Sequence, residues 1–180
     1  MVQISRVQYI HSRNFIHRDL KPSNLIMGVG EHANFVYLID FGLSKEFRDS
    51  KMHAHILYKD SLSFNGTTMF ASIHSQLGME LGRCDDLESL AYIFIYFLRG
   101  SLPWQGMGHQ NKLVVECKQN TFALDLCRGL PVEFRTFFTY SRSLPFDHKP
   151  DYDYLSHLFD ELLLWEGSNP SGDLKFDWER

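Results

Sequence analysis

Apolar residues at the amino end recur at helical spacing. Val2, Val7 and Ile10, with Ile4 and Tyr9 beside them, mark one face of a helix, and the polar residues between them resemble the second part of a longer amphipathic helix rather than the apolar core of a leader peptide. Two short apolar runs follow, Leu25 to Met27 and Phe35 to Ile39, separated by a stretch holding Gly28, Gly30 and Asn34; this pattern predicts a β-hairpin. Beyond residue 40 helices dominate. The run Leu90 to Leu98 is bracketed by Glu88 and Arg99 and falls short of the roughly 20 residues that a bilayer demands, so it reads as a buried helix and not a transmembrane segment. Asp85 or Asp86 would begin that helix, where the dipole favours a carboxylate, and Gly100 with Pro103 would end it. Further helices are predicted around Asn111 to Lys118, from Pro131 to Ser143 with proline in the first turn, and from Tyr152 to Trp165. The tail over 166–180 reads as loop until Phe176-Asp177-Trp178. The fold class is mainly α with one short hairpin.

Composition narrows the class. With 180 residues, 44% of them hydrophobic, one domain with its own core is expected. A net charge of -4 gives no general attraction to nucleic acid or to an anionic membrane. Cys84, Cys117 and Cys127 form no C-x-x-C pair and are odd in number, which argues against a disulfide framework or a zinc site and places the chain in the cytoplasm or nucleus. His53 and His55 lie two apart but no carboxylate or cysteine pattern accompanies them, so they read as surface loop histidines.

The chemistry concentrates in His17-Arg18-Asp19-Leu20-Lys21-Pro22-Ser23-Asn24 and in Asp40-Phe41-Gly42. This signature set, in this order, is similar to that of protein kinases. Phosphoryl transfer asks a protein to position groups and offset charge, and the resemblance implies a division of labour. Asp19 would accept the substrate hydroxyl proton, Lys21 would reach the transferred phosphate, and Asn24 and Asp40 would ligate magnesium through oxygen. The hairpin returns Asp40 to Asn24. Gly28-x-Gly30 lies inside that hairpin and opens no helix, so it is turn chemistry rather than a phosphate cradle.

Further passages narrow the resemblance: Tyr9-Ile10-His11-Ser12, Gly66-Thr67 with Ala71-Ser72-Ile73, Asp85-Asp86-Leu87-Glu88-Ser89-Leu90, Ser101-Leu102-Pro103-Trp104-Gln105-Gly106, Arg142-Ser143-Leu144, Lys149-Pro150-Asp151-Tyr152 and Phe176-Asp177-Trp178. The chain resembles the casein kinase 1 family of serine/threonine protein kinases over nearly its whole length, but only their carboxy-terminal lobe, so 1–180 reads as a partial kinase domain. The resemblance implies ATP and Mg2+ as cofactors, with Ile26 and Asp40 on the nucleotide, and protein substrates bearing Ser or Thr, acidic or already phosphorylated. It further implies that Thr67 bridges the catalytic aspartate and lysine and that Asp86 hydrogen-bonds the catalytic-loop backbone. In many kinases the arginine at the Arg18 position pairs with an activation-segment phosphate, but the sequence marks none of Ser50, Ser61, Ser63, Thr67 or Thr68 as its carrier. The 180 residues contain no Gly-x-Gly-x-x-Gly loop and no lysine in a Val-Ala-Ile-Lys context. The chain alone is therefore expected to be inactive, with Leu25, Ile26 and Phe41 on an open cleft face that invites a covering partner. A non-catalytic interaction or decoy module is the alternative.

Departures from the family pattern bear on substrate choice. Met69 stands where an arginine is usual, Cys84 replaces one of two adjacent arginines, and the lysine-rich segment after Trp-Gln-Gly is shortened to Lys112 and Lys118. Arg83 remains as the candidate for the substrate anion.

Overall fold

The computed structural model describes residues 2–33, 35–107 and 110–165. The side chain of Val2, the turn residue Asn34 and the tail 166–180 with Phe176, Asp177 and Trp178 lie outside the described residues. Helix α1 (Val2–Ser12) is followed by strand β1 (Phe15–Ile16), the catalytic-loop stretch, strands β2 (Leu25–Met27) and β3 (Val36–Leu38), and strand β4 (Lys45–Glu46). Helices α2 (Ile73–Gln76), α3 (Arg83–Arg99), α4 (Asn111–Asn120), α5 (Ala123–Leu126), α6 (Val132–Ser143) and α7 (Tyr152–Trp165) follow within the described residues. The strands form two antiparallel ribbons, β1 with β4 and β2 with β3. Among the described residues no helix is long and apolar enough to cross a membrane.

The core is built around α3. Leu87, Leu90, Tyr92 and Ile93 are fully buried, and burial on every side of the helix explains why its apolar run shows no amphipathic stripe. Burying each such side chain contributes about 1.5–3 kcal/mol. The main partner of α3 is α6, and Phe94 meets Phe137 and, across the interface, Phe159 of α7 in ring contacts of 5.5 and 5.7 Å. Full burial stops at Ile95, however, Tyr96 is half-buried, and Phe97 and Leu98 are exposed, so the predicted buried run is three residues too long.

The start of α3 also differs from expectation. The helix begins at Arg83, with Gly82 as its cap, because Asp85 sits one turn in and accepts the Gly82 N–H at 2.8 Å. The carboxylate thus reaches back to the cap amide from the first turn rather than serving as the cap itself, and Gly82, without a side chain, returns no bond. Gly100 closes the helix in the left-handed conformation at φ 73, as a residue without Cβ can do cheaply. Pro131 caps α6 from just outside it, and α4 runs on to Asn120.

Helix α1 buries Ile4, Val7 and Ile10 as its spacing predicts, but Tyr9 is exposed and His11 is buried instead. The reason is local: His11 finds polar partners inside, whereas Tyr9 is stacked from outside by Arg13. Arg6 ties α1 to β3 by donating to the Val36 carbonyl at 3.1 Å.

Candidate active site

Residues 17–24 leave β1 as an irregular loop whose shape is fixed from below by one carboxylate. Asp86, 2% exposed on α3, accepts the main-chain N–H of His17 at 2.7 Å and of Arg18 at 2.9 Å, and also contacts His11 Nε2 at 2.9 Å. The other ring nitrogen of His11 meets the Tyr152 hydroxyl at 2.5 Å. Burial alone would raise the Asp86 pKa, but the bond to His11 and the backbone donors outweigh it and hold the group below the usual carboxylate value. Asp86 is a loop anchor rather than only a helix cap. Arg18 itself takes a left-handed φ of 69, a conformation that persists in a non-glycine residue only when its surroundings impose it.

The loop holds Asp19 8% exposed, with both carboxylate oxygens engaged. Lys21 Nζ donates to Oδ2 at 2.6 Å, while Thr67 donates to Oδ1 from its amide and from its hydroxyl, each at 2.9 Å. Burial would push this carboxyl up, yet the bonds from Lys21 and Thr67 prevail and keep it below its ordinary value. The expected bridge from Thr67 to Lys21 therefore takes a different form: the two residues meet through the Asp19 carboxylate.

Asn24 is buried and donates its side-chain N–H to the Asp19 carbonyl at 3.0 Å, which leaves its amide oxygen as the group able to meet a cation. The β2–β3 register, Leu25 opposite Leu38, continues into the bond from Ile39 N to Asn24 O at 3.0 Å and brings Asp40 back beside Asn24. Asp40 is exposed and left-handed at φ 64, and its carboxylate accepts the Gly42 N–H at 3.4 Å. His17 links the two loops, since its Nε2 meets the Ile39 carbonyl at 3.0 Å and its ring packs 5.2 Å from Phe41. An amide oxygen and a carboxylate on adjoining loops suit a hard cation of magnesium's size. Ile26 stands on the hairpin 45% exposed, and Phe41 beside the same face is 48% exposed.

The segment after Gly66 is clamped from below by a residue that the sequence pointed elsewhere. Lys118 is fully buried and donates to the carbonyls of Thr68 and Ala71 and to Gln76 Oε1 at 2.7–2.8 Å, with the rings of Tyr92 and Trp104 about it. Burial lowers its ammonium to about 7. Lys118 is thus not a leftover of a surface anion patch, whereas Lys112 is exposed. Trp104 adds a bond from Nε1 to the Met69 carbonyl at 2.7 Å.

Arg83 is not brought to this group. It is buried at the start of α3, donates to the Asp147 carbonyl at 2.6 Å and lies over the Phe47 ring at 4.6 Å. Arg18 Nε donates to the Leu43 carbonyl at 2.5 Å and lines a cavity with Lys45 and Asn65. His55 is half-buried between Phe47 and Phe146 rather than free on the surface. Ligating atoms converge elsewhere, at His74, Cys84 and Asp85, within 4.8 Å of one another, but Asp85 is already taken by His74 and by the Gly82 amide.

A buried, ionised carboxylate paired with a lysine, beside an asparagine and a second aspartate on adjoining loops, is the equipment of a phosphotransferase. The protein kinase domain model matches residues 1–163, and the chain belongs to that family.

Proposed function

We propose that this chain carries the acceptor-binding and magnesium-binding half of a serine/threonine protein kinase of the casein kinase 1 type. The observation that supports this most is the Asp19 carboxylate, held ionised by Lys21 and Thr67, with Asn24 bonded to the same residue's carbonyl. Thr67 takes both of its bonds at Oδ1 and Lys21 takes one at Oδ2, so Oδ2 keeps a free lone pair for a substrate hydroxyl. A carboxylate with a lowered pKa is a poor early base. Asp19 therefore orients the hydroxyl and takes its proton late, which suits the loose transition state of phosphoryl transfer. Lys21 offsets charge on the group in transit, and Asn24 with Asp40 would hold the magnesium ion that accompanies ATP. Bound Mg-ATP supplies the phosphoryl group. Ile26 offers an apolar platform beside it.

Protein Ser/Thr residues are the acceptors on this reading. Among the described residues the groove next to Thr67, about 510 Å³, is lined by Met69, Trp104, Gln105, Gly106 and Val114 without a charged side chain, which supports a weaker preference for acidic or phosphorylated substrates than the resemblance implies.

The 180 residues alone lack groups that would cover and pair the nucleotide phosphates, and we expect negligible turnover from them with Mg2+ and ATP. A peptide phosphorylation assay tests this, and turnover that Asp40→Asn abolishes would overturn it. A second reading, a non-catalytic interaction module, draws on the open apolar face, where Tyr37 and Phe41 line a cavity of about 360 Å³ with Tyr9, Ile10 and Phe15. Joining the chain to a nucleotide-binding lobe separates the two, because only the first reading gives turnover.

A further inference from the structure

A cavity of about 210 Å³ lies apart from the Asp19 group, walled by His11 and Ser12 of α1, by Arg48, Arg83 and Lys149, and by Tyr152 at the start of α7. That volume suits one small charged group and is below the size of pockets that enclose drug-sized ligands. Three side chains with permanent positive charge meet at its wall. Among the described residues none of the three has a carboxylate partner at ion-pair distance.

Two nearby acids have their carboxylates engaged elsewhere. Asp86, which reaches the cavity's rim through His11, has its oxygens taken by His17 N, Arg18 N and His11. The Asp147 carboxylate turns to His148 at 3.1 Å, and only its main-chain carbonyl serves Arg83. Arg48 uses its Nε on Asn14 at 2.5 Å. Both guanidiniums pack on the Phe47 ring, at 4.6 Å for Arg83 and 5.4 Å for Arg48, so one aromatic side chain helps to hold both beside the cavity. Arg83 is 7% exposed, and its buried Nε has no hydrogen-bond partner. A buried donor left unmatched is destabilising, the more so when it is charged, and a ligand oxygen would relieve it. Burial, with the Arg48 charge adding to it, lowers the Arg83 pKa, as expected of a cation short of an anion.

We infer that Arg48, Arg83 and Lys149 form a binding site for a phosphate group, separate from the catalytic cleft. Two guanidinium forks and an ammonium match the oxygens of a phosphate monoester or of free phosphate. The site needs no nucleotide and no turnover, so it stands or falls independently of the proposed kinase activity. Its occupant would adjoin His11 and Tyr152, the pair through which Asp86 is held.

The test is titration calorimetry on the 180-residue chain at fixed ionic strength. The probes are inorganic phosphate, a short peptide with one phosphoserine, and the same peptide unphosphorylated. The expected result is saturable one-to-one binding of phosphate, weakened about tenfold or more by Arg48→Gln and by Lys149→Ala. Both residues are less buried than Arg83, and an unchanged thermal melt shows that each variant is folded. Lys45→Ala, in the separate Arg18 cavity, should leave binding intact. Tighter binding of the phosphopeptide than of phosphate supports a phosphoprotein source, and the reverse supports a free ion. Binding that survives Arg48→Gln and Lys149→Ala, or that Lys45→Ala removes instead, overturns the assignment, as does the absence of saturable phosphate binding.

Discussion

Thr67 holds Asp19 Oδ1 with two bonds of 2.9 Å, one from its amide and one from its hydroxyl. The segment that carries Thr67 and the loop that carries Asp19, 48 positions apart in sequence, are thereby locked at one oxygen of the Asp19 carboxylate, and the other is the one proposed for the acceptor. Gly66 makes the approach workable: its φ is 129, and a Cβ there would sit 3.4 Å from the Arg18 carbonyl and 3.5 Å from Asp19 Oδ1.

Replacing the hydroxyl tests the lock. Thr67→Val keeps the amide bond and the side-chain shape but loses the donor, removing about 1.5–3 kcal/mol of charge-assisted bonding. Joined to a nucleotide-binding lobe, the variant should show roughly tenfold or greater loss of kcat/KM, while Thr67→Ser stays near wild type. Equal rates for Val and Ser would mean that the hydroxyl has no part in catalysis.

Asp86→Asn should destabilise the chain by on the order of 3 kcal/mol at neutral pH, because two backbone donors and His11 lose a buried anion. The folded-state pKa of Asp86 is depressed. Its contribution is therefore complete above the unfolded value, about 3.9, and is lost as pH falls through the folded value. Urea melts from pH 7 downward should show wild type losing its advantage over the variant in acid. Glu88, whose pKa burial raises, acts with the opposite sign but is common to both proteins and cancels. A constant difference across that range would contradict the assigned shift.

Lys118→Met should loosen the stretch from Thr68 to Gln76, since three oxygens lose their donor. Hydrogen exchange in that stretch should quicken, with slower effects in α6. The pH sign is the same as for Asp86, in a higher window: the folded ammonium titrates at about 7, whereas the unfolded lysine keeps its proton to roughly 10.4. Wild type should thus gain stability relative to the variant as pH rises between those values. Uniform exchange rates in the two proteins would remove Lys118 from the clamp.

Local spacing made several elements legible. The hairpin, the limits of α7 and the stop at Gly100 follow from turn residues and helical period, which act over a few positions. The order of Asp19, Lys21, Asn24 and Asp40 pointed to one site because loop and hairpin are contiguous. Long-range polar contacts were not legible. Nothing near His11 in sequence announces its partners Asp86 and Tyr152, 75 and 141 positions away. Lys118 reads in the sequence as the remnant of a shortened lysine-rich segment, because spacing cannot show that three acceptors enclose its ammonium. Arg83 was read beside the substrate, yet α3 carries it to a different cavity with Arg48 and Lys149.

The most direct measurement is steady-state kinetics of the chain joined to a nucleotide-binding lobe, comparing Asp19→Asn with the parent for peptide phosphorylation and for ATP affinity. The account expects kcat to fall by about 10²–10⁴ with ATP affinity nearly unchanged, because Asp19 addresses the acceptor. Turnover that survives the substitution, or a large loss of ATP binding, would contradict the assignment.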